Sequence, residues 1–177
     1  MNIFVLDTNP AIAASYHCDQ HLHKMFLESA QMLSTAARFH GYNSPFIYRP
    51  AHQNHPCSHW VKTSFRFAHW LTSLCYELEN IRDSLGYPKH SSIEVIKACS
   101  DLMGLENYSD TVDTNEFVFA GPGQFKVLQM YPITKRYQLY YRYKHALWLD
   151  TANKMSYKGR PLPPFLSDLS STIVHSN

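Results

Sequence analysis

The fold is decided by residues 56–85, which read PCSHWVKTSFRFAHWLTSLCYELENIRDSL. Their apolar side chains recur at steps of 7, 4, 3, 4, 3 and 4, and they are Trp60, Phe67, Leu71, Leu74, Leu78, Ile81 and Leu85. This is the period of one face of an α-helix, and a Pro in the first turn removes an amide hydrogen that would have no partner there. The stretch therefore predicts one helix over 56–85, with an apolar face that other helices must cover.

The rest of the chain predicts two further long helices and one short one. The expected elements, at approximate bounds, are an extended arm or short strand at 1–6, a helix at 16–39, a shorter helix opened by a capping box of Ser91 and Glu94, an irregular loop at 107–133, a helix at 134–155 and an extended tail at 157–177. We therefore expect a mainly α, compact, single-domain fold over 1–177, with about four main helices and a short N-terminal extended arm.

Composition narrows the class of protein. A chain of 177 residues that is 45% hydrophobic can build one sizeable core. The formal net charge of +2 is too small to support nucleic-acid binding by the whole surface, so any such binding needs a local patch. The four Cys form no CxxC pair, and the sequence contains neither a signal-peptide pattern nor a transmembrane run of apolar residues. We expect a reduced, cytoplasmic protein that does not enter the membrane and that binds no cofactor.

Four polar residues, His17, His21, Lys24 and Glu28, follow one another at steps of +4, +3 and +4. On a continuous helix they lie along one line, about 120° away from the apolar arc. The line is therefore expected to be outside the core, as a solvated face, as a metal site completed by Glu28 or a second His group, or as a metal-free active site. We favour the active site, with all four residues as catalytic candidates and no metal. The second His group consists of His52, His55 and His59.

Two further segments could bind phosphate or a base. Asn54 and His55 precede Pro56 at a predicted helix N-terminus, where free amide hydrogens favour an anion, although both residues could equally cap the helix. The last predicted helix is basic and rich in Tyr: Arg142 and Lys144 are candidates for phosphate binding, and Tyr140 or Tyr141 for stacking on a base. Tyr137, Tyr141 and Trp148 are at helical spacing and could equally belong to the core.

Two family resemblances follow from these motifs. The segments His17-Cys18-Asp19, His21, Lys24-Met25, Asn54-His55-Pro56, Trp60 and Tyr140-Tyr141 resemble the HCDxHxxKM, NHPxxxW and Tyr-rich helix pattern of an uncharacterised family of tailed-phage proteins. Asp19-Gln20-His21-Leu22, followed by Phe26 and Glu28, is distantly similar to the first helix of pyrimidine-dimer DNA glycosylase/AP-lyases of endonuclease V type. The first resemblance covers most of the chain and the second covers one helix.

The glycosylase resemblance implies a compact helical fold, chemistry at an N-glycosidic bond and a catalytic role for Glu28. In that family the nucleophile is the α-amino group left when the initiator Met is removed ahead of a small residue, whereas this chain has Asn at position 2. Lys24 is the candidate to replace it, on the condition that burial or neighbouring cations such as His17 and His21 lower its pKa.

Three functions follow from the sequence. The leading one is a phage-type protein, in the cytoplasm of the infected bacterial host, that acts on a nucleotide or nucleic acid and cleaves an N-glycosidic bond with Glu28 as acid/base. The second is a non-catalytic nucleotide-binding or sequestering phage protein that interferes with host defence. The third is a His-ligated metalloenzyme.

Overall fold

A computed structural model describes residues 1–109, 111–148 and 155–169. The helices are α1 (Pro10–Ser15), α2 (Asp19–Phe39), α3 (Pro56–Thr63), α4 (Phe65–Ser84), α5 (Ser92–Met103), α6 (Gly123–Lys126) and α7 (Ile133–Trp148), with 3-10 turns at Leu105–Asn107, Thr114–Glu116 and Pro164–Leu169. Helix α2 packs against α3, α4 and α5, and α1 packs against α4. The described residues contain no strand, and the prediction of a mainly α fold is confirmed.

The predicted helix over 56–85 is broken at Ser64, and in this respect the prediction was wrong. Ser64 has extended backbone angles, φ −154° and ψ 135°, and its hydroxyl accepts the amide hydrogen of Arg66 at 3.3 Å. Its side chain therefore competes with the helical hydrogen bonds and starts a new helix. The break lets the ring of Trp60 stack on Phe67, at 4.6 Å between centroids, so the apolar stripe continues across it.

Helix α2 begins at Asp19, with Cys18 in the capping position, rather than near residue 16. His17 therefore belongs to the turn between α1 and α2, and the predicted helical line from His17 to Glu28 is not continuous. Both His17 and His21 are buried, contrary to the expectation that the line lies outside the core. The helical plot missed this burial because it treated α2 in isolation, whereas the N-terminal arm and α7 cover that side.

The N-terminal arm, residues 2–6, forms neither helix nor strand and is buried between α2 and α7. Gln138 of α7 donates a hydrogen bond to the carbonyl of Leu6 at 3.0 Å, and the Asn2 side chain donates to the carbonyl of Ala120 at 3.0 Å. Phe4 has a positive φ of 50°, which is a strained conformation for a bulky residue, and its ring stacks on His21 at 4.7 Å. The polar groups of the arm are therefore hydrogen-bonded to distant elements rather than to a neighbouring strand.

The elements from α5 onward begin and end differently from the predictions. Ser91 makes no capping bond, and the predicted capping box does not form; the Nδ1 of His90 instead accepts the amide hydrogen of Ser92 at 3.1 Å. Within the 107–133 segment Asp113 and Glu116 form a capping box around a single 3-10 turn. The predicted last helix is observed as α7, but 149–154 lie outside the described residues, as do 170–177 of the tail.

Candidate active site

Glu28 is the centre of a polar cluster on α2. Its Oε2 accepts the backbone amide hydrogen of Asn2 at 2.9 Å, and its Oε1 lies 3.3 Å from Nζ of Lys24 and 3.8 Å from the amino nitrogen of Met1. The Glu28 side chain is 14% exposed, so the carboxylate is largely enclosed and still reachable. The arm thus places a backbone donor and an amine against a carboxylate that is 26 residues away in sequence.

Lys144 brings a third amine toward this carboxylate. Its Nζ lies 4.2 Å from the ring centroid of Trp148 and 5.7 Å from those of Phe4 and Tyr140. Burial lowers the pKa of Lys144, and the positive charge of Lys24 lowers it further, whereas the negative charge of Glu28 opposes both effects. Lys24 and Glu28 are therefore close enough to Lys144 to act on its charge.

His17 and His21 are both buried, and each makes a hydrogen bond through Nδ1. The hydroxyl of Tyr141 accepts the amide hydrogen of Cys18 at 2.9 Å, so its own hydrogen is available to Nδ1 of His21 at 2.7 Å. Nδ1 of His17 donates to the carbonyl of Ala13 at 2.7 Å. Burial lowers the pKa of His17 to about 4 and that of His21 well below its ordinary value, so both are neutral at pH 7.

Two of the conditions named for Lys24 as a nucleophile, burial and positive charge on His17 and His21, are not met in the structure. The Lys24 side chain is 59% exposed, and its Nζ forms an ion pair with Glu28. His17 and His21 are uncharged at pH 7 and supply no neighbouring positive charge. Lys144, which was expected to bind phosphate, is the lysine of this cluster that is partly buried among aromatic rings.

The residues expected to bind phosphate do not form one site in the structure. His55 caps α3, with Nδ1 accepting the amide hydrogen of Cys57 at 3.2 Å, which is the capping alternative. Burial and then the positive charge of the Met1 amino group lower the pKa of His55, so its ring is also near the Glu28 cluster. Asn54 is exposed. Arg142 donates a hydrogen bond to the carbonyl of Phe165 and so connects α7 to the segment 155–169.

The two candidate stacking residues are also separated. Tyr141 is fully buried, so its ring cannot receive a base, which agrees with the alternative that it belongs to the core. Tyr140 is half-buried and stacks near Phe4, with ring centroids 5.8 Å apart. Of the two tyrosines, Tyr140 is therefore the one beside Lys144 and the Glu28 cluster.

An open groove of about 600 Å³ is lined in part by Glu28 and was not expected from the sequence. One wall is the exposed face of α2, with Gln20, His23, Lys24, Leu27 and Glu28, and the other consists of Tyr48, His90, Ser91 and Ser92. Residues 20, 23, 24, 27 and 28 recur at steps of three and four, so their common face could have been read from the sequence. The opposite wall comes from two loops and the first residue of α5, and it could not be read from the sequence.

Within the described ranges no group of three or more His, Cys, Asp or Glu is arranged to hold a metal ion. The same ranges contain no helix with the length and apolar character required to cross a membrane. Fold and site together define a small helical protein with a largely enclosed carboxylate–amine cluster, of which Lys24 and Glu28 line an open groove. No family model, curated protein or solved structure matches the chain.

Proposed function

We propose that this protein acts on a nucleotide or nucleic acid and cleaves an N-glycosidic bond, with Glu28 as the acid/base. The observation that carries the proposal is the Glu28 carboxylate, which lines the groove and contacts the Asn2 amide and the amines of Met1 and Lys24. The resemblance of 19–28 to glycosylases and that of the longer pattern to tailed-phage proteins support the same function and a role in an infected bacterial cell.

The chemistry requires a carboxylate near a sugar carbon that becomes positively charged. Cleavage of a glycosidic bond passes through an oxocarbenium-like transition state, which a carboxylate stabilises and to which it can deliver an activated water. In the hydrolytic route, water adds to C1′, Glu28 takes its proton, and the base leaves with the electrons of the C1′–N bond and is then protonated. The neighbouring amines offset the negative charge of phosphates that flank the sugar.

Base release tests the proposal directly. Glu28→Gln keeps an oxygen that can accept the Asn2 amide hydrogen but removes the negative charge, so we expect base release to fall by a factor of about 10² to 10⁴. The substrates are undamaged, ultraviolet-irradiated and uracil-containing DNA and the deoxynucleotides, with the free base measured by chromatography and mass spectrometry. Glu106→Gln, at an exposed position, is the matched control. Absence of base release from every substrate, or full activity in Glu28→Gln, contradicts the proposal.

A covalent route is distinguished by trapping. An uncharged amine of the cluster would attack C1′ and displace the base, which takes up a proton. Opening of the C1′–O4′ bond, with transfer of a proton from the nitrogen to O4′, then gives an imine that borohydride reduces to a stable adduct. Peptide mapping assigns the adduct to Met1, Lys24 or Lys144, and loss of the adduct in Lys24→Ala or Lys144→Met checks the assignment. Base release without any adduct leaves only the hydrolytic route.

Nucleotide sequestration is the second candidate function. It is favoured by the half-buried ring of Tyr140 and the nearby amine of Lys144, which can hold a base and a phosphate without further chemistry. Mass spectrometry of a nucleotide pool separates the two functions: a sequestering protein returns intact nucleotide on denaturation, whereas an enzyme returns free base.

A further inference from the structure

The wall of the groove opposite Lys24 is held by a buried ion pair that the proposed chemistry does not use. Arg82 is 4% exposed, and its Nε donates to Oε2 of Glu79 at 3.2 Å. The same guanidinium donates to Nδ1 of His23 and to the carbonyl of Pro88, and Oε1 of Glu79 accepts the amide hydrogen of His90 at 3.0 Å. One ion pair therefore positions two histidines of the groove.

The hydrogen bonds also determine where each imidazole carries its proton. Nδ1 of His23 accepts from Arg82, and Nδ1 of His90 accepts from the Ser92 amide. A neutral imidazole with an accepting Nδ1 carries its hydrogen on Nε2. Burial and the positive charge of Arg82 lower the pKa of both rings, which keeps them neutral near pH 7.

Contacts with aromatic rings limit the rotation of both imidazoles. The ring of His90 stacks on Phe26 at 4.7 Å, and the ring of His23 meets Tyr87 edge-on at 4.7 Å. Within the described residues neither Nε2 has a hydrogen-bond partner, although both rings line the groove. A pair of fixed, uncharged donors without acceptors is suited to a ligand that presents oxygen or nitrogen acceptors.

We infer that the groove binds the nucleobase of the substrate, with Nε2–H of His23 and of His90 donating to acceptors on the edge of the base. This inference rests on the proposed function and names the part of the substrate that the groove holds. With the base between the two histidines, the sugar is directed toward Glu28, which lines the same groove.

A nucleobase fits the groove better than a phosphate for electrostatic reasons. The charge of Arg82 is buried and paired with Glu79, and the charge of Lys24 is paired with Glu28. The other donors that line the groove are neutral, and the carboxylate of Glu28 repels an anion, while Lys158 lies outside the lining but close enough to His23 to lower its pKa. Bases present carbonyl oxygens and ring nitrogens that accept such hydrogen bonds, as O6 and N7 of guanine do.

Nuclear magnetic resonance of the imidazole nitrogens tests the inference. The probes are the four deoxynucleoside 5′-monophosphates, and the controls are 2-deoxyribose 5-phosphate and inorganic phosphate at the same concentrations. We expect at least one nucleotide to shift the Nε2 signals of His23 and His90 saturably, and neither control to do so. Equal shifts with either control, or no shift with any nucleotide, overturn the inference.

Substitutions separate hydrogen bonding from packing. His90→Leu and His23→Leu remove the donor, and each is expected to weaken nucleotide binding about five- to tenfold, the effect of one lost neutral hydrogen bond. His90→Gln and His23→Gln keep an N–H donor and should stay within about twofold of the unaltered protein. His59→Leu, at an exposed position outside the groove, is the control. Unchanged affinity in both Leu variants overturns the inference.

The outcome for this groove is separable from that for Glu28. Base release that continues without any response of the two histidines rejects the groove as the base site and leaves the proposed function standing. Saturable shifts of both histidines without base release support the groove as a nucleobase site and reject cleavage.

Discussion

His17 connects the stability of the fold to pH. Its imidazole is buried and neutral in the folded protein, with a pKa lowered from 6.5 to about 4 because burial disfavours the charged form. Above pH 6.5 neither the folded nor the unfolded chain binds a proton at this position. As the pH falls from 6.5 to 4 only the unfolded chain gains one, so the folded state loses stability across that interval.

We expect His17 to account for a loss on the order of 3 kcal/mol in the free energy of unfolding between pH 7 and pH 4, because each tenfold change in proton affinity is worth about 1.4 kcal/mol. Urea unfolding at several pH values measures it. His17→Gln should be less stable at pH 7 and should lose less stability on acidification. His59→Gln, at an exposed position, should keep the full acid dependence. Identical acid dependence in His17→Gln contradicts this account.

Ser64 sets the boundary between α3 and α4. Because its hydroxyl caps α4 through the Arg66 amide, Ser64→Ala should lower the free energy of unfolding by about 1 kcal/mol. Ser91→Ala is the matched control, since Ser91 precedes α5 but makes no capping bond, and its effect should stay within about 0.5 kcal/mol. Equal effects of the two substitutions in urea unfolding would show that the Ser64 hydroxyl does not stabilise the helix start.

The existence of the helices could be predicted from the sequence, but several of their ends could not. The apolar stripe from Trp60 to Leu85 indicates helical structure correctly, yet its period runs unchanged through Ser64, where the helix is broken. The cap of α5 comes from the ring of His90 rather than from the adjacent Ser91. In both places a single side-chain hydrogen bond determines where the helix begins. Hydrophobic periodicity does not depend on that bond and therefore cannot predict the helix start.

At the scale of the whole molecule, Tyr141 joins α7 to the start of α2. Its hydroxyl satisfies the Cys18 amide and Nδ1 of His21, which are 123 and 120 residues away. Tyr141→Phe leaves both buried groups without this partner, so we expect a loss of about 2 kcal/mol in the free energy of unfolding. Tyr143→Phe, at an exposed ring on the same helix, should change it by less than about 0.5 kcal/mol. A similar loss in both variants contradicts the role of the hydroxyl.

The candidate site was predictable only where its parts are close in sequence. The contact between Lys24 and Glu28 follows from their spacing of four on one helix. Asn2 and Lys144 reach the same cluster through the packing of the arm and α7, and His90 reaches the groove through Arg82 and Glu79. No periodic pattern in the sequence predicts these contacts, because they depend on how separate elements pack against one another.

The buried arm has a consequence for the order of folding. Residues 2–6 leave the ribosome before every other described element, but they are fixed by Ala120 and by Gln138, which is 132 residues from Leu6. At about 5 to 20 residues per second, translation separates the two ends of these contacts by on the order of ten seconds. During that interval the apolar arm has no native partner on α7, and its backbone is open to pairing with other nascent chains.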